Sequence, residues 1–495
     1  MSTLALCGAT VVVSIDPVEL AGADVLIDGD RIAAVGPAPP AVPRRDCSGT
    51  LIVPGNVCAH THLYSALSRG LPYQLPPPEN FLQILQRIWW RLDRALDERS
   101  IRMSALIGGL DALLAGTTTV FDHHASPNFI DGSLDIVAEA LAELGLRSVL
   151  CYEVTDRDGA AAAAAGLAEN SRFCKASRPL AGEDARRRPA GRPLPGEGAG
   201  SHSASWSPPG RDPGSQPVSG PLARGLIGAH ASFTLSDATL DACAGTAADA
   251  RAGVHIHVAE DAADQRDARE AHGCSVVDRL NAAGVLTEHA LLAHCVHVDD
   301  RERDILLASG ATIAHNARSN MNNGVGYSPV TASGAQILPA GARDRITLGT
   351  DGIGGDMITE SQVAFFRARE ASVRTPQSWP LARLAASSRA AGRAFGEPAL
   401  GRIEAGAPAD LAVLDYPAPD RVSVGSLAGH WLFGLSPAHV RDVLVAGELV
   451  VADRRPTRVD TDRLAAAAAA EVGRLRARLA DIPPHGFTPR GCEAR

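Results

Sequence analysis

His60 and His62, one residue apart in Cys58-Ala-His60-Thr-His62-Leu63, follow a β-forming run, Thr50-Leu-Ile-Val53, that is closed by Pro54-Gly55. Side chains two apart on a strand point the same way, so this pair is expected to project together from a strand's carboxyl end and grip one divalent metal. Two histidines alone say little. Four later apolar runs, including those that reach His257, His294 and Asp351, each end in a histidine or aspartate where a further ligand or proton carrier could stand.

A scaffold for these groups is legible in the same rhythm. Short apolar runs lie before His60 and at 117–124, 147–153, 225–230, 253–257, 290–294, 311–315 and 345–351, most of them separated by helical periodicity such as that of 134–144 and 261–280. Eight such units match the count of a closed (β/α)8 TIM barrel, an α/β fold whose catalytic groups sit at strand carboxyl ends. Outside this body the chain reads as β-rich at both ends. A head is expected to pair 9–14 with a hairpin at 24–35 that turns at Asp28-Gly-Asp30. The tail alternates apolar and polar residues at 410–415 and 439–451 and turns at Ala446-Gly-Glu448. The two ends are expected to form one composite β-sandwich.

The division expected from this is 1–54 and 400–455 for the two parts of the sandwich, 55–399 for the barrel, and 456–495 for a terminal helix and tail. One stretch, 176–221, turns to Pro, Gly, Arg, Ser and Ala with a single aromatic, Trp206, and shows neither period. The expectation there is a disordered surface insertion between the third and fourth strands, with a shifted reading frame in a GC-rich gene as the alternative.

At 495 residues and 45% hydrophobic, the chain can bury a large core. A net charge of -9 and a pI near 6.0, with no basic cluster along any element, argue against a nucleic-acid surface. Nine cysteines without a CxxC pair read as reduced thiols in a cytoplasmic protein. No run is long and apolar enough to predict a membrane span, and no basic segment precedes the apolar 4–13 stretch as a secretory signal would require.

Several segments together resemble the amidohydrolase superfamily in its chlorohydrolase and aromatic deaminase (ATZ/TRZ-like) branch. They are His60-Thr-His62, His257-Val-Ala-Glu260, His294-Cys-Val-His297, His315-Asn-Ala-Arg-Ser-Asn320 and Gly349-Thr-Asp351. Within it, Phe121-Asp-His-His-Ala-Ser-Pro-Asn128, Leu150-Cys-Tyr-Glu-Val-Thr-Asp-Arg-Asp158, His230-Ala-Ser-Phe-Thr-Leu-Ser236 and Ser319-Asn-Met-Asn-Asn-Gly-Val-Gly326 resemble the SsnA-type aminohydrolases. Gly401-Arg-Ile-Glu-Ala-Gly-Ala-Pro-Ala-Asp410 is similar to the superfamily's return into its β-sandwich.

Carried over by position, the resemblance implies that His60, His62, His257 and Asp351 hold one divalent metal, zinc or alternatively Fe(II). It implies Glu260 as the acid/base that moves a proton from a metal-activated water to a ring nitrogen. His294 would steady the water or the oxyanion, and Asp351 would relay a second proton to the leaving group. His230, His124, His315 and Asn320 are candidate substrate contacts, with a scaffold role as the alternative for each. His297 is the alternative register for His294, and Glu260 has a rival reading as a helix amino-terminal acid. His255, in phase with His257, reads as structural, and Trp89-Trp90 as core packing more than pocket wall. The only lysine, Lys175, is not at the end of strand four, where binuclear relatives carboxylate one, so a single metal is expected.

The implied activity is hydrolytic release of ammonia from an amino-substituted carbon of a nitrogen heterocycle, a purine-derived one among the candidates, by a homo-oligomer that binds small molecules. Loss of chloride or alkylamine from a triazine-like ring is the alternative among enzymes. A non-catalytic scaffold barrel is the alternative of another class.

Overall fold

The computed structural model describes residues 3–72, 74–177, 222–330 and 342–492. From 178 onward, the insertion expected at 176–221 lies outside the described residues; its first residue, Ala176, closes the helix Ala160–Ala176.

Each apolar run of the body is a strand, and neighbours in sequence are neighbours in space. Asn56–Thr61, Thr117–His124, Arg147–Tyr152 and Ala223–Gly225 pair in parallel as one sheet. Ile227–Ala231, Val254–Val258, Leu291–His294, Thr312–His315 and Ile346–Leu348 pair in parallel as a second. Isolated parallel bridges, Val154 with Ala229 and Thr61 with Asp351, join the two sheets at both seams. These strands are almost wholly buried, as parallel strands covered on both faces must be, and this explains their unbroken apolar runs. Helices such as Ser133–Leu144 and Asp237–Asp249 connect them.

The run before His60 divides differently from the expectation. Leu51–Pro54 leaves the parallel strands and pairs with Leu411–Leu414 and Thr10–Ile15, while the histidine-bearing strand is the separate Asn56–Thr61. Gly55 makes the corner, where a Cβ would collide with the Thr118 side chain. Two consecutive buried runs look like one in sequence because both faces of each are covered.

Both chain ends enter one seven-stranded sheet, which runs from Arg455–Pro456 through Glu448–Ala452, Val440–Val445, Leu411–Leu414, Leu51–Pro54 and Thr10–Ile15 to Val18–Gly22. A four-stranded sheet holds Arg31–Val35, Val25–Asp28, Thr3–Cys7 and Arg44–Asp46. The hairpin through Gly29 forms as expected, but its partner is Thr3–Cys7; Thr10–Ile15 goes to the other sheet and pairs with Val18–Gly22. Leu6, Ile27 and Ile32 of one sheet share a core with Val11, Ile52 and Leu411 of the other. Arg147, at the start of its parallel strand, donates from Nε to Asp410 Oδ2 at 2.6 Å and so ties the mixed sheet to the parallel strands.

The terminal helix expected within 456–495 is Thr461–Asp481, which buries Leu464, Leu475 and Leu479. Past it the chain crosses the helical stretch 81–95, where His485 N–H donates to Gln86 O at 3.0 Å. Phe487 lies 5.9 Å from Trp90 between ring centroids. All nine cysteines are free. Among the described residues no helix is long and apolar enough to cross a membrane.

Candidate active site

The carboxyl ends of the parallel strands bring together residues far apart in the chain. His60 lies within its strand and His62 one residue past the strand's end, while His257, His294 and Asp351 arrive from three later runs. Backbone bonds lock the seam: Thr350 and Asp351 N–H groups donate to His60 O at 2.8 and 3.0 Å, and His62 N–H donates to Asp351 O at 3.2 Å. Gly349 allows this approach, because a Cβ there would stand 2.7 Å from His60 O. Four non-glycine residues at these ends have left-handed backbone: Ala259 at φ 44°, His294 at 72°, Cys295 at 51° and Asp351 at 55°. Such conformations persist where the surroundings over-determine them, and they cluster at functional sites.

The ring orientations fit a cation. His62 Nδ1–H donates to His123 O and His257 Nδ1–H to His230 O, each at 2.7 Å, so both Nε2 atoms carry bare lone pairs. Those two atoms face each other at 3.2 Å, where two acceptors repel unless an electrophile lies between them. His60 Nε2 is buried without a hydrogen-bond partner, and Asp351 Oδ1 is 3.3 Å from His62 Nε2. Burial, reinforced by the neighbouring imidazoles, holds His60 and His257 well below the usual histidine range, and burial also lowers His62. All three are neutral donors, as metal ligation requires. Burial alone would raise Asp351, but His62, His294 and the Ser319 hydroxyl, 2.6 Å away, outweigh it and keep the carboxylate ionised. Three imidazoles and one carboxylate suit a divalent ion of the zinc type.

Glu260 and His294 stand beside this set. His294 Nε2 is 3.5 Å from Glu260 Oε2 and 3.5 Å from Asp351 Oδ2, and Nδ1–H donates to Asn320 Oδ1 at 2.8 Å. Glu260 accepts from Asn323 Nδ2 at 3.2 Å. Burial pushes its carboxyl up to about 7, the neighbouring Asp351 charge adding to the shift. His297 instead donates from Nε2 to Val325 O at 2.8 Å, so the alternative register for His294 is not the one that meets the cluster.

A cavity opens over these groups, lined among others by His62, Tyr64, Trp89, Glu153, His230 and Glu260. Of the four expected substrate contacts, His230 lines it, whereas His124, His315 and Asn320 are not among its lining residues. His124 pairs through Nε2 with Ser126 Oγ at 2.9 Å, His315 is buried with both ring nitrogens unpartnered, and Asn320 acts on His294. Trp89 and Trp90, read from sequence mainly as core, both line the cavity. A π-helical turn at Leu85–Trp89 interrupts the helical stretch, and its extra residue per turn shifts the phase so that Leu85, Trp89 and Trp90 share the cavity side.

Three residues of this region went unassigned in the sequence reading. His123 donates from Nε2 to Ala229 O at 3.1 Å, and its Nδ1 lies 3.3 Å from Glu153 Oε2. Glu153 accepts from Arg157 Nη1 at 3.0 Å, and Arg157 also pairs with the buried Asp93. The signal for Glu153 was its place at the end of the third run; nothing marked it as more than a polar stop. His255, assigned a structural part, lies with Nε2 2.8 Å from His60 Nδ1 and so orients a candidate ligand.

The profile of the amidohydrolase family matches residues 51–450. The chain is 28% identical over 418 residues to a 5'-deoxyadenosine deaminase of Methanopyrus kandleri, covering 84% of each protein. It is 28% identical over 488 residues to a 5-methylthioadenosine/S-adenosylhomocysteine deaminase of Pelotomaculum thermopropionicum, covering 96% of this chain and 99% of that one. Among solved structures, an adenosine deaminase from Xanthomonas campestris with bound zinc superposes with a TM-score of 0.76 at 21% identity, over 96% of this chain and 99% of the other. An atrazine chlorohydrolase from Arthrobacter aurescens complexed with zinc gives 0.71 at 23% identity, over 95% and 100%. At such identities the likeness speaks for the fold.

Proposed function

The chain belongs to the amidohydrolase family, and on that premise we propose that it is a metal-dependent aminohydrolase that replaces an amino group on a nitrogen heterocycle, purine-derived, by oxygen and releases ammonia. The observation that carries this is the convergence of His60, His62 and His257, with two imidazole lone pairs opposed at 3.2 Å and Asp351 Oδ1 3.3 Å from His62 Nε2. The relatives named as deaminases of adenosine derivatives support the substrate class. The seam bridges support a (β/α)8 barrel over 55–399, and the shared core of the end sheets supports a sandwich of 1–54 with 400–455, followed by a terminal unit at 456–495.

Those four residues would hold one divalent ion, zinc by its donor set. Lys175 is exposed on the helix Ala160–Ala176, and His230 occupies the strand-four end, which supports a single ion. When bound, the metal supplies Lewis acidity, which can lower the pKa of a coordinated water from about 15.7 to about 7. The protein's groups do the rest. Glu260, whose carboxyl changes protonation near neutrality, takes a proton from the attacking water and passes it to the ring nitrogen next to the reacting carbon. His294, fixed through Nδ1–H on Asn320, presents the Nε2 lone pair as an acceptor to the O–H of the attacking water and so steadies it. Asp351 carries the second proton to the departing amine, so that water adds, the carbon–nitrogen bond breaks and ammonia leaves.

Ammonia release from a panel of purine bases and nucleosides by zinc-loaded protein, alongside Glu260→Gln, tests this. The variant should retain metal and lose about 10²- to 10⁴-fold in kcat. Full turnover in the variant would remove Glu260 from the reaction.

A further inference from the structure

Resting on the deaminase reading, we infer that the ring taken by this cavity turns N–H donors or a positive charge toward Glu153 and His230 and carries no carboxylate or phosphate. Four observations carry this. The described residues that line the cavity include the carboxylates Glu153, Glu260, Asp261, Asp264 and Asp351, and no lysine or arginine. An anionic substituent would meet like charge there with nothing to pair it, and like-charge juxtaposition is what suppresses wrong partners at a desolvated site.

Second, the groups away from the reacting end accept hydrogen bonds. His230 Nδ1–H donates to Thr234 Oγ1 at 2.7 Å, while the Thr234 hydroxyl is itself committed to Ala231 O at 3.1 Å. That fixes the tautomer and leaves His230 Nε2 as an acceptor. Third, the Glu153 carboxylate is built into the wall. Arg157 Nη1 donates to Oε1 at 3.0 Å, and the Arg157 side chain is 2% exposed, paired also with Asp93 and seated 5.1 Å over the Trp90 ring. The guanidinium is therefore turned inward and is not available to a substrate anion. Fourth, Trp89 and Tyr64, with ring centroids 5.8 Å apart, offer aromatic faces beside His62, which a flat ring can stack upon. Glu153 is thus assigned as a specificity residue, outside the proton-transfer set.

Matched pairs test the inference on zinc-loaded protein: adenosine against its 5'-monophosphate, and 5'-methylthioadenosine against 5'-(carboxymethylthio)adenosine. Ammonia release gives kcat/KM, and quenching of tryptophan fluorescence gives binding independent of chemistry. The member without the anionic group should be favoured at least about 100-fold, and Glu153→Gln should shrink that preference at least about tenfold, mainly through KM. Equal binding of the anionic members by wild-type protein overturns the inference whatever the variant does. An unchanged preference in a Glu153→Gln variant that keeps its metal overturns the role of Glu153. Quenching confined to the neutral members with no ammonia from any compound supports the charge selection and sinks the deaminase reading.

Discussion

At the scale of the residue, the site works through what each imidazole does with its second nitrogen. His60 Nδ1 has one partner, His255 Nε2 at 2.8 Å, and a ligand whose outer bond is cut loses orientation and basicity. Metal affinity of His255→Ala should fall about 10- to 100-fold, as measured by competition with a chelator; undiminished affinity would show that His60 is held by packing alone. Asp122 gives a prediction of opposite flavour. Its Oδ1 accepts from Leu63 N–H at 2.7 Å, pinning the turn after His62, while Oδ2 is buried without a partner. Burial pushes its carboxyl up to about 7. The folded chain therefore binds a proton that the unfolded chain, with an ordinary aspartate pKa of about 3.9, has released. Stability attributable to this group falls as pH rises from about 4 to about 7 and is level above that. Asp122→Asn keeps the acceptor and removes the charge, so its stability relative to wild type should improve by on the order of 2 kcal/mol between pH 5 and pH 8 in urea titrations. A difference independent of pH would place the proton elsewhere.

At the scale of the element, the helical stretch 81–95 acts as the cavity wall, and its position depends on a contact with the last parallel run. The indole of Trp89 fills the space that a Cβ on Gly352 would need. Gly352→Ala should displace the indole, cost about 1–3 kcal/mol of stability by overpacking, and raise KM while metal content is kept. Steady-state kinetics with metal analysis checks this, and an unaltered KM would mean that Trp89 is not part of the binding wall. The same stretch is crossed from outside by the chain after the terminal helix, where Gln86 Nε2 donates to Phe487 O at 2.8 Å. A wall assembled from a π-helical turn, a glycine and a strap cannot be read from helical periodicity, and so Trp89-Trp90 reads from sequence as core packing more than pocket wall.

At the scale of the whole molecule, a buried ion pair helps to fasten the parallel strands to the end sheets. Arg147 and Asp410 form a buried pair at 2.6 Å, and Asp410 Oδ1 also accepts from Ala446 N–H at 2.7 Å. Asp410→Asn would leave the guanidinium buried without its counter-charge, with an expected loss of about 3–5 kcal/mol in urea unfolding. A loss below about 1 kcal/mol would show that Arg147 is solvated or repaired by another partner.

The strands and their order along the chain were legible in sequence, because parallel strands buried on both faces leave unbroken apolar runs that stop where the polar site begins; the joint assignment of His60, His62, His257, His294 and Asp351 came from the family resemblance. Periodicity is local, so it yields which residues end a strand. It does not yield which of two adjacent buried runs joins which sheet, and so Leu51–Pro54 was merged with the strand of His60. The direction in which a side chain looks once the sheets curve is likewise a tertiary property. Among the rim residues only His230 lines the cavity, whereas Asn320 turns to His294 and His124 to Ser126. Glu153, a single acid at a strand end in sequence, became part of the cavity only through Arg157, Asp93 and His123. The chemistry needs particular donor types at strand ends, and those the sequence determined. Orientation, tautomer and the charge of the wall depend on contacts between segments far apart in the chain, and only the tertiary structure decided them.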